Sequence, residues 1–117
     1  MPALNFQARF APLVESGEKR QTIRACRKDG RDPKVGDTLY LYTGQRTKAC
    51  RKLGEAVCID RFHVFIDWHT LEIDNRPCDA VEADEIARMD GLPSWTALAG
   101  WIDHYHGLPF DGFMFRW

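Results

Sequence analysis

Residues 16–24, Ser-Gly-Glu-Lys-Arg-Gln-Thr-Ile-Arg, hold the pattern G-x-K-x-x-T-x-R at a turn between two predicted elements. Before this stretch, residues 10–16 are predicted to form one or two helical turns, because Pro12 suits a first helical position and Gly17 the left-handed residue after a helix. After it, residues 21–26 alternate polar and apolar side chains like a strand. Lys19 is therefore expected on a helix-to-strand turn, where a side chain is held firmly and stays reachable.

The pairing of Lys19 with Thr22 is compatible with nucleophilic catalysis. A threonine hydroxyl needs a neighbouring base, and a lysine can be that base when burial lowers its pKa. The pattern is also compatible with a solvated turn lysine and with a β-branched residue that favours a strand. Both readings stay open on spacing alone.

The remaining strands are predicted from alternation and from β-branched and aromatic residues. Residues 4–10 place Leu4, Phe6, Ala8 and Phe10 on one face, and residues 38–43 place Leu39 and Leu41 on one face. Further strand signals lie at 53–60 and 61–68 (one bent strand or a pair), 70–74 and 113–117.

Two helices are predicted before the last strand. Residues 81–89 are acidic and helical in pattern and end at Asp90-Gly91, and Ser94 suits an N-cap. The second helix ends before Gly107, and its apolar face is expected to contain Trp95, Leu98, Trp101, Ile102 and Tyr105. The order of elements predicts an α+β, mainly β fold, with residues 1–117 as one domain whose terminal strand closes a small barrel.

Composition and charge indicate an ordinary globular chain. Of the 117 residues, 44% are hydrophobic and 28% charged, and the net charge is −1. Residues 1–55 have 12 basic and 6 acidic side chains, whereas residues 56–117 have 4 and 11. With no apolar run of membrane-spanning length and no signal-peptide pattern, we expect a cytoplasmic protein without membrane contact.

Cysteine and histidine spacing gives no metal signature. The four cysteines form no C-x-x-C pair and the four histidines no H-x-x-x-H pair. We therefore expect neither a metal site nor a cofactor. The residues concerned are Cys26, Cys50, Cys58, Cys78, His63, His69, His104 and His106.

Five segments together resemble the ASCH domain family of the PUA-like superfamily of small β-barrels, over nearly the whole chain. The most specific are Gly17-x-Lys19-x-x-Thr22-x-Arg24 and Val35-Gly36-Asp37-x-Leu39. The others are Phe6-Gln-Ala-Arg9-Phe10, Asp90-Gly91-Leu92 with Trp95, and Tyr105-x-Gly107 before an aromatic terminal strand.

The resemblance implies a function. Small single-domain members are bacterial amidohydrolases that remove the acyl group from N4-acetylcytidine and related cytosines, using a lysine, a threonine and a glutamate. Lys19 and Thr22 match the first two. Lys19 is the base if burial keeps it neutral; if the carboxylate keeps it charged, Lys19 is an electrophile and the carboxylate is the base. Counting back from Gly107 as in the family places the third at Asp90, a shorter carboxylate, so Glu85 and Glu82 remain alternatives.

Three further residues are predicted to bind substrate: Arg24, Arg9 and Tyr42. The expected ligand is a small modified nucleoside or nucleobase, bound by a monomer. The alternatives implied by the superfamily are an RNA-binding module or an ASCH-type ribonuclease. A basic loop suits a phosphate track, although the net charge predicts weak RNA binding. Its residues are Arg46, Lys48, Arg51 and Lys52.

Overall fold

A computed structural model describes residues 2–117 of the chain, which form eight strands and three helices. The strands are β1 (Ala3–Phe6), β2 (Gln21–Ala25), β3 (Thr38–Thr43), β4 (Arg51–Val57), β5 (Asp60–Ile66), β6 (Leu71–Ile73), β7 (Arg76–Pro77) and β8 (Phe110–Arg116). The helices are α1 (Ala11–Ser16), α2 (Ala80–Met89) and α3 (Trp95–His106). The expected mixed fold, mainly strands with one short early helix and two helices before the last strand, is confirmed.

The strands form two sheets. The three-stranded sheet has the order β1-β3-β4, in which β1 runs parallel to β3. The five-stranded sheet has the order β2-β8-β5-β6-β7 and is antiparallel throughout. The chain changes sheet at Cys58 and Ile59: the Cys58 amide donates to the Asp37 carbonyl on one side, and the Ile59 amide to the Arg116 carbonyl on the other.

The predicted closed barrel is not formed. The terminal strands β1 and β8 lie in different sheets, and within residues 2–117 no strand ladder joins the two sheets. Both β1 and β2 are edge strands, and side chains rather than a ladder link the sheets there: the Arg24 guanidinium of β2 lies 4.7 Å from the Phe6 ring centroid of β1. We call this boundary the seam.

The first strand is shorter than predicted. Residues 7–10 turn towards α1, with the Phe10 amide donating to the Gln7 carbonyl, so the strand ends at Phe6. Ala8 is consequently exposed, and the buried Phe10 occupies the N-cap of α1. The end of α1 is as expected, because Gly17 is left-handed (φ 81°) and its amide donates to the Val14 carbonyl.

Helix α2 ends before Asp90-Gly91 as predicted, and α3 begins and ends where its caps predict. Ser94 accepts a hydrogen bond from the Ala97 amide at 3.2 Å, and α3 ends at Gly107. Leu98 and Ile102 are fully buried, but the prediction for Tyr105 is wrong, because its side chain is 51% exposed. Tyr105 instead packs against Trp101, with ring centroids 4.8 Å apart and ring planes inclined at 47°.

One hydrophobic core extends between the sheets and under the helices. Its largest members with almost no exposure are Phe115, Leu39, Ile66, Leu71, Leu98, Ile102 and Met114. Within residues 2–117, no helix is long and apolar enough to cross a membrane.

Candidate active site

The turn after α1 directs Lys19 into the interior. The Lys19 amide donates to the Leu13 carbonyl at 2.9 Å, which folds the chain back over the end of the helix. The Lys19 side chain is only 2% exposed, and its Nζ lies 5.0 Å from the Phe10 ring centroid. A lysine so deeply buried requires a polar partner.

Asp90 is that partner. The Lys19 Nζ donates to the Asp90 main-chain carbonyl at 2.5 Å and lies 3.4 Å from the carboxylate oxygen Oδ2. Asp90 ends α2, where its amide donates to the Ile86 carbonyl, and it is 5% exposed. Of the alternative carboxylates, Glu82 pairs with Arg76 and Glu85 is exposed. The structure therefore brings Asp90 to Lys19.

Gln21 completes the surroundings of Asp90, and the sequence did not single it out. Its Nε2 donates to the Ile86 carbonyl at 3.1 Å and reaches Asp90 Oδ1 at 3.4 Å. Its Oε1 accepts from Arg116 Nε at 3.1 Å. A polar residue at the start of an alternating strand resembles any solvent-facing position, so only the position of α2 over β2 shows that Gln21 is fully buried.

Thr22 and Arg24 point to one face of β2. Arg24 Nε donates to Thr22 Oγ1 at 3.0 Å, and the guanidinium stacks on the Phe6 ring. Among residues 2–117, the terminal nitrogens Nη1 and Nη2 have no hydrogen-bond partner. The hydroxyl of Thr22 accepts from Arg24, which leaves its own proton free to be donated.

Burial opposes charge throughout this group. Burial lowers the pKa of Lys19, although the Asp90 carboxylate acts in the opposite direction. Burial also raises the pKa of Asp90, although the Lys19 ammonium acts in the opposite direction. Burial also lowers the pKa of Arg24 to about 10, so its guanidinium remains charged at neutral pH. The pKa values of Lys19 and Asp90 are thus shifted towards each other, which favours proton exchange between them.

These residues line one cleft of about 120 Å³, here called the first cleft. Its other walls are mainly aromatic, and within residues 2–117 the buried Trp101 Nε1 has no hydrogen-bond acceptor. The pKa of His106 at its edge is lowered by burial and by Arg24. The lining is Asn5, Phe6, Gln7, Phe10, Lys19, Thr22, Ile23, Arg24, Asp90, Trp101 and His106.

Two predicted substrate-binding residues lie outside this lining. Arg9 is exposed and stacks on Phe10, 4.8 Å from the ring centroid. Tyr42 lines a separate depression with Tyr40 and Lys52. The structure therefore brings together Lys19, Thr22, Asp90 and Arg24, and leaves Arg9 and Tyr42 apart from them.

The predicted basic loop is shorter than expected, because Arg51 and Lys52 are the first residues of β4, and these two side chains are paired with carboxylates. Arg51 pairs with Glu15, and Lys52 pairs with Glu55. In the described part of the chain, no three His, Cys, Asp or Glu side chains lie close enough together to hold a metal ion.

Comparison of the chain with protein-family models, with curated proteins and with solved structures found no match.

Proposed function

We propose that this protein is an amidohydrolase that removes the acyl group from N4-acetylcytidine or a related N4-acylated cytosine. The observation that carries the proposal is the first cleft, which Lys19, Thr22 and Asp90 line together. The resemblance of the G-x-K-x-x-T-x-R segment to the ASCH family supplies the substrate class, and the cleft supports the type of reaction.

Thr22 is the nucleophile in this proposal. Its Oγ1 attacks the acyl carbon, and negative charge then develops on the former carbonyl oxygen of the substrate. The guanidinium of Arg24, whose Nε lies 3.0 Å from Thr22 Oγ1, stabilises this charge. The bond between the acyl carbon and N4 then breaks, and the acyl group remains on Thr22 as an ester. Water cleaves this ester and releases the carboxylic acid.

The Lys19–Asp90 pair moves the proton. It takes the proton of the Thr22 hydroxyl and delivers it to the departing N4 amine, and in the second step it activates water in the same way. Two groups whose pKa values are shifted towards each other can exchange a proton at low cost, which suits this alternation between base and acid.

The aromatic walls suit a flat base. Phe6, Phe10 and Trp101 surround a volume well below the roughly 300–1,000 Å³ of pockets for drug-sized ligands. A buried donor such as the Trp101 indole N–H needs an acceptor, and a carbonyl oxygen of the substrate can be that acceptor.

The direct test is an assay of the purified chain on N4-acetylcytidine, followed by the ultraviolet change on deacylation. We expect cytidine and acetate as products, with activity lost in Thr22→Ala. Trp68→Phe, at an exposed tryptophan outside the first cleft, is the matched control and should be fully active. Lack of deacylation by the folded wild type would refute the proposal.

The alternative of an RNA-binding module or ribonuclease has less support. Two of the four basic-loop side chains, Arg51 and Lys52, are already paired with carboxylates. A salt-dependent nanomolar RNA complex would favour this alternative. Membership of the ASCH family, action as a monomer and a cytoplasmic location stay predictions.

A further inference from the structure

A second cleft adjoins the first, and Arg24 lines both. The second cleft encloses about 170 Å³ and is lined by Ala3, Leu4, Arg24, Ala25, Arg27, Asp32, Pro33 and Phe115. The guanidinium of Arg24 is held by Thr22 and by the Phe6 ring, so a ligand on its free Nη1 and Nη2 edge meets a preorganised donor.

Arg27 supplies a second guanidinium to this cleft. One of its terminal nitrogens donates to the Ala3 carbonyl at 3.2 Å, which ties the side chain to the edge of β1. In the described part of the chain Arg27 forms no ion pair, unlike Arg51 and Arg76, which pair with glutamates. Two fixed arginines at one cleft are the usual means of holding a phosphate.

Asp32, which lines the second cleft, and two other aspartates of the same loop each accept a main-chain amide on one carboxylate oxygen. Asp32 Oδ1 accepts from the Arg27 amide at 2.8 Å, and Asp29 Oδ1 accepts from the Arg31 amide at 2.9 Å. Asp37 Oδ2 accepts from the Lys34 amide at 2.9 Å. Residues 24–37 contain five basic and three acidic side chains, so this segment remains positive.

We propose that the ligand is phosphorylated: the base lies in the first cleft, and the phosphate on its sugar lies in the second cleft between Arg24 and Arg27. This inference rests on the proposed function for the identity of the base and goes beyond it in the phosphate. The phosphate can belong to a free nucleotide or to an RNA chain. Arg31 and Lys34, together with three aspartates, line a depression that shares Arg27 with the second cleft, and a longer chain would meet these residues next.

The test compares ligands that carry no acyl group, so it does not depend on hydrolysis. Binding of cytidine and of cytidine 5′-monophosphate is measured by calorimetry for the wild type, for Arg27→Gln, and for Arg88→Gln as control. Arg88 is exposed and lines neither cleft. We expect the monophosphate to bind at least about tenfold more tightly, a preference that Arg27→Gln abolishes and Arg88→Gln retains.

Equal binding of the two ligands, no binding of the monophosphate, or a preference that survives in Arg27→Gln would each overturn the inference. A short oligocytidine distinguishes the two sources of phosphate. If it binds no better than the monophosphate, the ligand is a free nucleotide; a further gain that weakens with salt indicates RNA. If the monophosphate preference holds while neither N4-acetylcytidine nor its 5′-monophosphate is deacylated, the phosphate site stands and the proposed chemistry fails.

Discussion

Burying either Lys19 or Asp90 alone would destabilise the folded state, because each side chain loses its contact with water. Each is compensated by its contact with the other. Removing one partner of a buried ion pair leaves an uncompensated group, at a typical cost of about 3–5 kcal/mol. The pair is therefore a constraint on stability as well as the proposed proton carrier. Experiments on it need a stability measurement beside every rate.

The first prediction concerns the catalytic unit. Lys19→Met and Thr22→Ala should each lower kcat for deacylation by orders of magnitude, and the double variant should be scarcely slower than either, because residues that act as a unit are strongly non-additive. Thr22→Ser should keep part of the activity, since the hydroxyl remains. Lys19→Arg should not, because a guanidinium does not release its proton at working pH.

Thermal melting of each variant is the control for this experiment. A folded Thr22→Ala protein with near-normal deacylation would show that water attacks directly and that the Lys19–Asp90 pair alone supplies the chemistry.

The second prediction concerns the unpaired indole N–H of Trp101. Trp101→Phe removes a donor that has no protein acceptor among residues 2–117, so the melting temperature should change little. If that N–H donates to the ligand, KM should rise roughly two- to tenfold, the value of one ordinary hydrogen bond. Trp95→Phe, at a tryptophan outside the lining of the first cleft, is the control and should leave KM unchanged. An unchanged KM in Trp101→Phe would show that the indole N–H does not bind the ligand.

At the scale of elements, most helices and strands could be predicted from local sequence patterns. Pro12 and Gly17 delimit α1, and Ser94 and Gly107 delimit α3, because caps and turn glycines act through their own neighbours. The open sheets were not predicted, since closure depends on which edge strands meet across the fold. Gln21 was missed for the same reason: its burial depends on a helix that begins about sixty residues later.

The third prediction tests the buried face of α3. Ile102 is fully buried, so Ile102→Ala should lower the free energy of unfolding by about 2–5 kcal/mol in chemical denaturation. Tyr105 is 51% exposed on the same helix and is the internal comparison. Tyr105→Ala should cost clearly less. Equal losses for the two variants would mean that the packing of α3 has been assigned to the wrong face.

For the whole molecule, the buried carboxyl of Asp90 links stability to pH. Its pKa is raised mainly by burial, so the folded state holds this proton more tightly than the unfolded state, whose pKa is about 3.9. The contribution of Asp90 to the free energy of unfolding therefore falls as pH rises from about 4 through the raised pKa.

The fourth prediction follows: relative to Asp90→Asn, the wild type should lose stability as pH rises across that range. The measurement is urea denaturation of both proteins at several pH values. A wild type that gains stability over Asp90→Asn with rising pH would show that the ammonium of Lys19, rather than burial, dominates the environment of the carboxyl.

The seam between the sheets has a consequence for how the molecule opens. Because no strand ladder crosses it within residues 2–117, the amides of the β3–β4 ladder and those of the β8–β5 ladder can exchange with solvent in separate cooperative openings. The first cleft spans this boundary, with Phe6 on one side and Thr22 and Arg24 on the other. A nucleoside bound in the first cleft would contact both sheets and so couple their opening. In native-state hydrogen exchange, adding the ligand should therefore raise the amide protection of the less protected ladder towards that of the other.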